Sequence, residues 1–301
     1  MQRQAVSLRN VCSQDEKAWT NSMNHAVTFK SIVSTSSFAD LERGVMDKSK
    51  VAESFSAAAA TYDLLAGMQK EVGESLVSLI RESAPQDIID VGCGTGWLTQ
   101  RLKNCFPEAR LCAYDLSPGM IEYARAHHGD VAALWAVADM ESLPVADASQ
   151  DLVFSNMAMQ WLDDPRVWFA EASRVLRPGG RLICSTLLTQ TLFELEQAWG
   201  GVDGDRHVNR FLDAEQIAEA AASCGLQGEC RESLHVRFHD SALGVMKELK
   251  GIGAHNIQSE RPQGLTGKRR LRQVLENYEK CRQEQGVPAT YHVGVCVYSR
   301  I

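Results

Sequence analysis

The sequence DVGCGTGWL at residues 90–98 is a glycine-rich segment that lies between two apolar runs. Residues 87–89 before it are typical of a short strand, and Leu98 and Leu102 after it have the spacing of a helix that packs on a sheet. Glycines at positions 92, 94 and 96 permit a sharp turn and let backbone N–H groups approach a ligand. The segment therefore predicts a strand, a glycine loop and a helix.

A G-x-G-x-G loop is also found in ordinary strand-to-helix turns, so its context matters. The nicotinamide fingerprint G-x-G-x-x-G fits less well, because one residue separates Gly94 from Gly96. Asp90 stands at the carboxyl end of the predicted strand, where a carboxylate is costly unless it is hydrogen-bonded or faces a ligand amine. Both features resemble motif I of the class I S-adenosylmethionine (SAM) methyltransferases.

Composition narrows the class of protein. The chain has 301 residues, is 45% apolar and has no apolar run near the roughly 20 residues that span a bilayer, so we expect a soluble protein with no membrane partner. Its nine cysteines form no C-x-x-C pair, which predicts small buried side chains in a reducing cytoplasm and no metal site. The net charge of −7 argues against nucleic acid as the main partner.

The chain divides by composition into an N-terminal extension and one predicted domain. Residues 1–46 are polar and Ser/Asn-rich, so we expect a disordered extension, with Met46 as a candidate initiator. Residues 47–301 are predicted to form a SAM-dependent methyltransferase domain. Within it we expect N-terminal cap helices at 47–84, a SAM-binding core at 87–187 and a substrate-selecting part with the final strands at 188–301.

The predicted architecture is α/β. Five strands alternate with helices across residues 87–187, which indicates a doubly wound, mainly parallel sheet. Residues 230–238 and 290–299 alternate in polarity like antiparallel strands. We therefore expect a Rossmann-like, seven-stranded class I methyltransferase sheet with an antiparallel late strand, and an insertion between the late strands that covers the site.

Acidic and amide side chains follow the predicted strands where open α/β sheets bind ligands. Asp115 lies 19 residues after Gly96, a spacing at which a carboxylate reaches ribose hydroxyls, although a surface turn would also use Asp there. Asp139 and Met140 could receive the adenine. The predicted cofactor-binding residues are Asp90, Gly92, Cys93, Gly94, Gly96, Asp115, Leu116, Asp139, Met140 and Asn156.

Further motifs narrow the resemblance to one family. The methyltransferase motifs are DVGCGTG (90–96), YDLS (114–117), ADMESLP (138–144), FSNMAMQW (154–161) and VLRPGG (175–180). The segments FSAAAATYD (55–63), HVNRF (207–211), LKGIGA (249–254) and TYHV (290–293) are similar to the malonyl-[acyl-carrier protein] O-methyltransferases of biotin synthesis. This resemblance covers about residues 47–301.

The resemblance implies methyl transfer from SAM to the free carboxylate of a malonyl thioester on an acyl-carrier protein, giving the methyl ester that primes pimeloyl and biotin synthesis. A malonyl carboxylate is ionised at neutral pH, so we expect no general base. Arg210 is the first candidate to hold it, although a surface ion pair would explain this residue equally well. The positioning candidates are Tyr62, Trp161, His207, Arg210 and Lys250.

A basic span at residues 247–272 is the candidate docking surface for an acidic carrier protein. It holds seven basic and two acidic residues in an acidic chain, although a solvated helix face would look similar. Malonyl-CoA stays open as a second acceptor. The competing functions are another small-molecule SAM methyltransferase acting on a free acid or quinone, a non-catalytic SAM-binding partner and a nicotinamide-dependent dehydrogenase.

Overall fold

The computed structural model describes residues 46–80, 84–203, 207–254 and 267–301. The predicted disorder of the N-terminal extension falls on residues outside these ranges, except for Met46. Met46, the last residue of the predicted extension, is buried against Val51, and its N–H donates to Asp163 Oδ1 at 2.9 Å. The division of residues 47–301 into cap, core and substrate-selecting parts stays a prediction.

A seven-stranded sheet organises the described part of the chain, in the order β3-β2-β1-β4-β5-β7-β6. The strands β1 to β5 are parallel, and β7 runs antiparallel to both β5 and β6. This confirms the predicted mainly parallel sheet with an antiparallel late strand. The strands are β1 Asp87–Val91, β2 Arg110–Asp115, β3 Leu134–Val137, β4 Gln150–Ser155, β5 Leu176–Leu187, β6 Leu226–His239 and β7 Val287–Arg300.

Helices connect and cover these strands, and several begin at the caps that the sequence provides. Asp47 caps the first helix by accepting from the N–H of Lys50, and Ser117 with Pro118 starts the fourth. Helices α8 and α9 form the insertion between β6 and β7. The helices are α1 Lys48–Leu65, α2 Gly67–Ser78, α3 Trp97–Cys105, α4 Pro118–His128, α5 Pro165–Val175, α6 Phe193–Gly200, α7 Ala214–Ser223, α8 Ala242–Gly251 and α9 Lys268–Glu279.

The core explains why the early strands are continuous apolar runs. Ile88, Ile89 and Val91 of β1 are each 1% exposed, because helices cover both faces of a parallel sheet. Because β1 lies between β2 and β4, the loop that leaves its carboxyl end lies between the loops of those two strands. The sheet thus places the glycine loop among the neighbouring loops at the edge where ligands bind.

The eight cysteines in the described ranges are free thiols. Cys93, Cys112, Cys184 and Cys296 are buried, as expected of small apolar side chains. Cys105 is exposed, so the expectation does not hold for every cysteine. Among the helices that are described, none combines the length and the apolar character needed to cross a membrane.

Candidate active site

The glycine loop after β1 depends on left-handed backbone at three positions. Gly92, Gly94 and Gly96 have φ of 74°, 55° and 83°. A Cβ on Gly92 would lie 2.5 Å from Ala158 Cβ, and a Cβ on Gly96 would meet the ring of Trp135 at 2.7 Å. A Cβ on Gly94 would meet no protein atom within 4 Å. Gly94 therefore leaves open space where a ligand can approach the backbone.

A cavity of about 100 Å³ lies beside this loop, and we call it the cofactor cavity. Seven of the ten predicted cofactor residues line it, namely Gly92, Gly94, Asp115, Leu116, Asp139, Met140 and Asn156. Asp90, Cys93 and Gly96 are absent from its wall. The structure thus brings together the ends of β1, β2, β3 and β4, as the strand order requires.

Asp115 supports the loop and keeps capacity for a ligand. Its Oδ2 accepts from the N–H of Gly94 and its Oδ1 from the N–H of Ser117, each at 2.8 Å. A carboxylate has about four lone-pair sites, so each oxygen can accept a further hydroxyl. Burial raises the pKa of Asp115, although both N–H groups act in the opposite direction. This geometry suits a ribose diol.

Asp90 lies behind the loop. It is 1% exposed, and its Oδ2 accepts from Thr99 Oγ1 of α3 at 2.6 Å. Burial raises the pKa of Asp90 to about 7, although the hydrogen bond from Thr99 acts in the opposite direction. In this structure Asp90 ties β1 to α3, and its predicted contact with a ligand amine stays a prediction.

Asp139 and Asn156 already have protein partners. Lys48 of α1 donates to Asp139 Oδ2 at 2.6 Å and also to Glu141, so α1 is tied across the cofactor cavity. Asn156 donates to the carbonyl of Gln69 at 3.0 Å and accepts from Ser185 Oγ at 2.8 Å. Lys48 is not predictable as a site residue from its local sequence, because its partners lie about 90 positions later in the chain.

A second cavity, of about 270 Å³, adjoins the first, and we call it the acceptor cavity. Phe55, Tyr62, Met157 and Trp161 line both cavities and form the partition between them. The ring of Phe55 meets that of Trp161 edge-on, with centroids 5.4 Å apart, and that of Tyr62 with centroids 6.3 Å apart. Burial raises the pKa of Tyr62, so its hydroxyl stays protonated at neutral pH.

Three basic candidates for the acceptor occupy different positions. His207 and Lys250 line the acceptor cavity, whereas Arg210 lines neither cavity. Arg210 and Lys250 are both exposed, so their position relative to the cavity is what distinguishes them. His207 stacks on Trp199 with ring centroids 3.4 Å apart, and its Nε2 lies 2.8 Å from Asp203 Oδ1. The preference for Arg210 therefore has no geometric support, and Lys250 is the lysine of the cavity wall.

The wall of the acceptor cavity also contains residues that the sequence did not single out. They come from α6, α8, α9 and β7, and examples are Leu195, Met246, Leu271 and Tyr291. The late insertion therefore covers the site as predicted. No group of three or more His, Cys, Asp or Glu side chains within the described ranges is arranged to hold a metal.

The cofactor cavity fits the SAM that the sequence led us to expect. Gly94 has open space beside its backbone, Asp115 has free lone pairs for a ribose, and Leu116 and Met140 offer apolar contacts for a base. The partition residues separate this cavity from a larger one that can hold a second substrate. The arrangement suits group transfer between two bound molecules.

Comparison with known proteins agrees with this arrangement. Residues 89–184 match the family described as "Methyltransferase domain". The chain is 90% identical over 279 residues to the malonyl-[acyl-carrier protein] O-methyltransferase of Hahella chejuensis. The aligned residues cover 93% of this chain and 100% of the relative. It is 38% identical over 295 residues to the biotin biosynthesis bifunctional protein BioHC of Cellvibrio japonicus, covering 96% of this chain and 58% of the relative.

Among solved structures, the fold is similar to that of the YcgJ protein from Bacillus subtilis. The TM-score is 0.54 at 16% sequence identity, over 75% of this chain and 98% of that one. At this identity the likeness concerns the fold alone.

Proposed function

The chain belongs to the malonyl-[acyl-carrier protein] O-methyltransferase family, and from this membership we propose the reaction and its site. The reaction is methyl transfer from SAM to the free carboxylate of a malonyl thioester on an acyl-carrier protein, as a step of biotin biosynthesis. The observation that carries the proposal is the pair of cavities that meet at Phe55, Tyr62, Met157 and Trp161. One cavity has the features of a SAM site, and the other is largely apolar with Lys250 in its wall.

When bound, SAM supplies a methyl group on a positively charged sulfur. The partition residues exclude water from the junction of the cavities and align the acceptor oxygen with that methyl group. The rings of Phe55, Tyr62 and Trp161 also offer faces that attract a cation. The attacking carboxylate is already ionised, so the side chains of the site position it and need not accept a proton.

We assign recognition of the malonyl carboxylate to Lys250. It lines the acceptor cavity, whereas Arg210 lies outside it. A charge-assisted hydrogen bond contributes about 1.5–3 kcal/mol, so Lys250→Met is expected to raise KM for a malonyl thioester roughly tenfold or more. Arg210→Met is the matched variant and is expected to stay within about twofold of wild type. The reverse order of the two KM values would return the role to Arg210.

The carrier protein is proposed to dock beside the mouth of the acceptor cavity. Lys247 and Lys250 of α8 and Lys268, Arg269, Arg270 and Arg272 of α9 are all exposed. Lys250 and Leu271 also line the cavity, so this surface adjoins the space where the acyl group would enter. Arg261, which belongs to the same basic span, lies outside the described residues. An acidic carrier would be attracted to these side chains.

A charge-reversal experiment tests the docking surface. The double variant Lys268→Glu/Arg269→Glu is expected to raise KM for malonyl-carrier protein about tenfold and to weaken its dependence on salt. Arg110→Glu is the control, because Arg110 is exposed at the amino end of β2, opposite the cavities. Unchanged KM and salt dependence in the double variant would show that α9 is only a solvated face.

Malonyl-CoA is proposed as a poorer second acceptor, since it carries the same pantetheine arm without the carrier protein. The free thiols of the described cysteines suit a reducing compartment, so we place the reaction in the cytoplasm.

The direct test of the function is transfer of labelled methyl from SAM to malonyl-carrier protein. Acetyl-carrier protein is the control, because it has the same arm and thioester but no free carboxylate. We expect label only on the malonyl acceptor, in a methyl ester identified by mass spectrometry. Label on neither acceptor, or equally on both, would contradict the proposal.

A further inference from the structure

The side-chain amide of Gln160 has a defined orientation in the wall of the acceptor cavity. Gln160 lies in a short 3-10 turn, Met159–Trp161, and its Nε2 donates to the carbonyl oxygen of Met157 at 2.7 Å. A 180° flip of the Gln160 amide would instead place Oε1 at this short distance from the Met157 carbonyl oxygen, and two hydrogen-bond acceptors repel each other there. The oxygen Oε1 must therefore point away from Met157.

Gln160 Oε1 is buried and has no hydrogen-bond partner among the described residues. An unpaired buried acceptor costs free energy, so such an atom calls for a donor from a ligand or a water molecule. Gln160 lines the acceptor cavity but not the cofactor cavity. Of the two cavities, the acceptor cavity is therefore the one whose ligand can meet the Gln160 side chain.

A malonyl thioester group has no donor to offer at neutral pH, since its carboxylate and its thioester carbonyl are both acceptors. The first donor along a pantetheine arm is the amide N–H, which an ethylene spacer separates from the sulfur. We propose that Gln160 Oε1 accepts a hydrogen bond from this first amide N–H of the pantetheine arm. The proposal rests on the proposed function and adds a subsite for the arm.

A second oxygen in the same wall has the same property. Asn209 Oδ1 is buried without a partner among the residues that the structure describes, and Asn209 lines the acceptor cavity. A pantetheine arm has a second amide N–H further from the sulfur. Two side-chain oxygens without hydrogen-bond donors in the wall of one cavity match a ligand with successive amide N–H groups better than they match a short free acid.

The test compares two small malonyl thioesters that differ in one group. The first is the malonyl thioester of N-acetylcysteamine, which has the amide N–H, and the second has an ester oxygen in place of that N–H. Wild-type protein is expected to favour the amide about tenfold in kcat/KM, the effect of one hydrogen bond to a buried acceptor. In Gln160→Met this preference is expected to fall to about twofold or less.

Gln227→Met is the control, because Gln227 is exposed on the edge strand β6, and it is expected to keep the wild-type preference. A wild-type ratio near one overturns the proposal without any variant, and so does an unchanged ratio in Gln160→Met. If wild-type protein methylates neither thioester nor malonyl-carrier protein, the proposed function itself fails. Equal methylation of both thioesters leaves the function in place and removes only the subsite.

Discussion

Replacing Gly94 by alanine is expected to separate cofactor binding from folding. Gly94 has φ of 55°, and a Cβ there would meet no protein atom within 4 Å. The folded protein would then bear only the left-handed backbone of a residue with a Cβ, about 1–2 kcal/mol. For a chain of this size, that lowers Tm by roughly 2–8 °C. The new methyl group would occupy the cofactor cavity, so Kd for SAM should rise at least about tenfold.

Gly92→Ala is the matched comparison within the same loop. Its φ of 74° carries the same backbone cost, but its Cβ would lie 2.5 Å from Ala158 Cβ. Overpacking adds about 1–3 kcal/mol, so Gly92→Ala should be the less stable variant by that amount. Thermal unfolding without ligand measures the first effect, and calorimetric titration with SAM measures the second.

Two results would refute this reasoning. One is a Gly94→Ala variant that binds SAM within twofold of wild type, which would mean that the space beside Gly94 is not used by the ligand. The other is a Gly94→Ala variant that is less stable than Gly92→Ala, which would mean that the contact with Ala158 does not limit the loop.

Three further perturbations act on individual side chains. Burial raises the pKa of Asp90 from 3.8 to about 7, so the folded protein keeps a proton that the unfolded chain releases, and stability falls as the pH rises through that interval. Asp90→Asn should remove this pH-dependent loss of roughly 4 kcal/mol in the free energy of unfolding. Urea unfolding of both proteins from pH 4 to 8 measures it, and parallel curves of unfolding free energy against pH would contradict the prediction. His207→Ala should lower kcat less than about tenfold, because an ionised acceptor needs no base, and complete loss of turnover with intact substrate binding would identify a catalytic base. Lys48→Met leaves Asp139 and Glu141 without their shared cation, but the pairs are about one-third exposed, so Kd for SAM should rise only about fivefold or less by calorimetry. A loss of a hundredfold would instead mean that this bridge builds the site.

The sequence by itself determined the class of fold and seven of the residues that line the cofactor cavity. The alternation of strands and helices, the glycines at 92, 94 and 96 and the acid at position 115 are local patterns. Such patterns determine backbone conformation and side-chain periodicity, and these depend on neighbouring residues more than on where the segment lies in the fold. Parallel strands then bring their carboxyl ends to one edge, so Asp115 and Asp139 reach the same cavity.

Only the tertiary structure decided which residues line the acceptor cavity. Lys250 lines the acceptor cavity and Arg210 does not, although each is a basic residue in one of the motifs that resemble the family. Helix α1 reaches the cofactor cavity through Lys48. The free oxygen of Gln160 is oriented by the carbonyl of Met157, a residue with φ of 54°. In loops and insertions the direction of a side chain depends on distant packing partners, and no periodicity in the sequence encodes them.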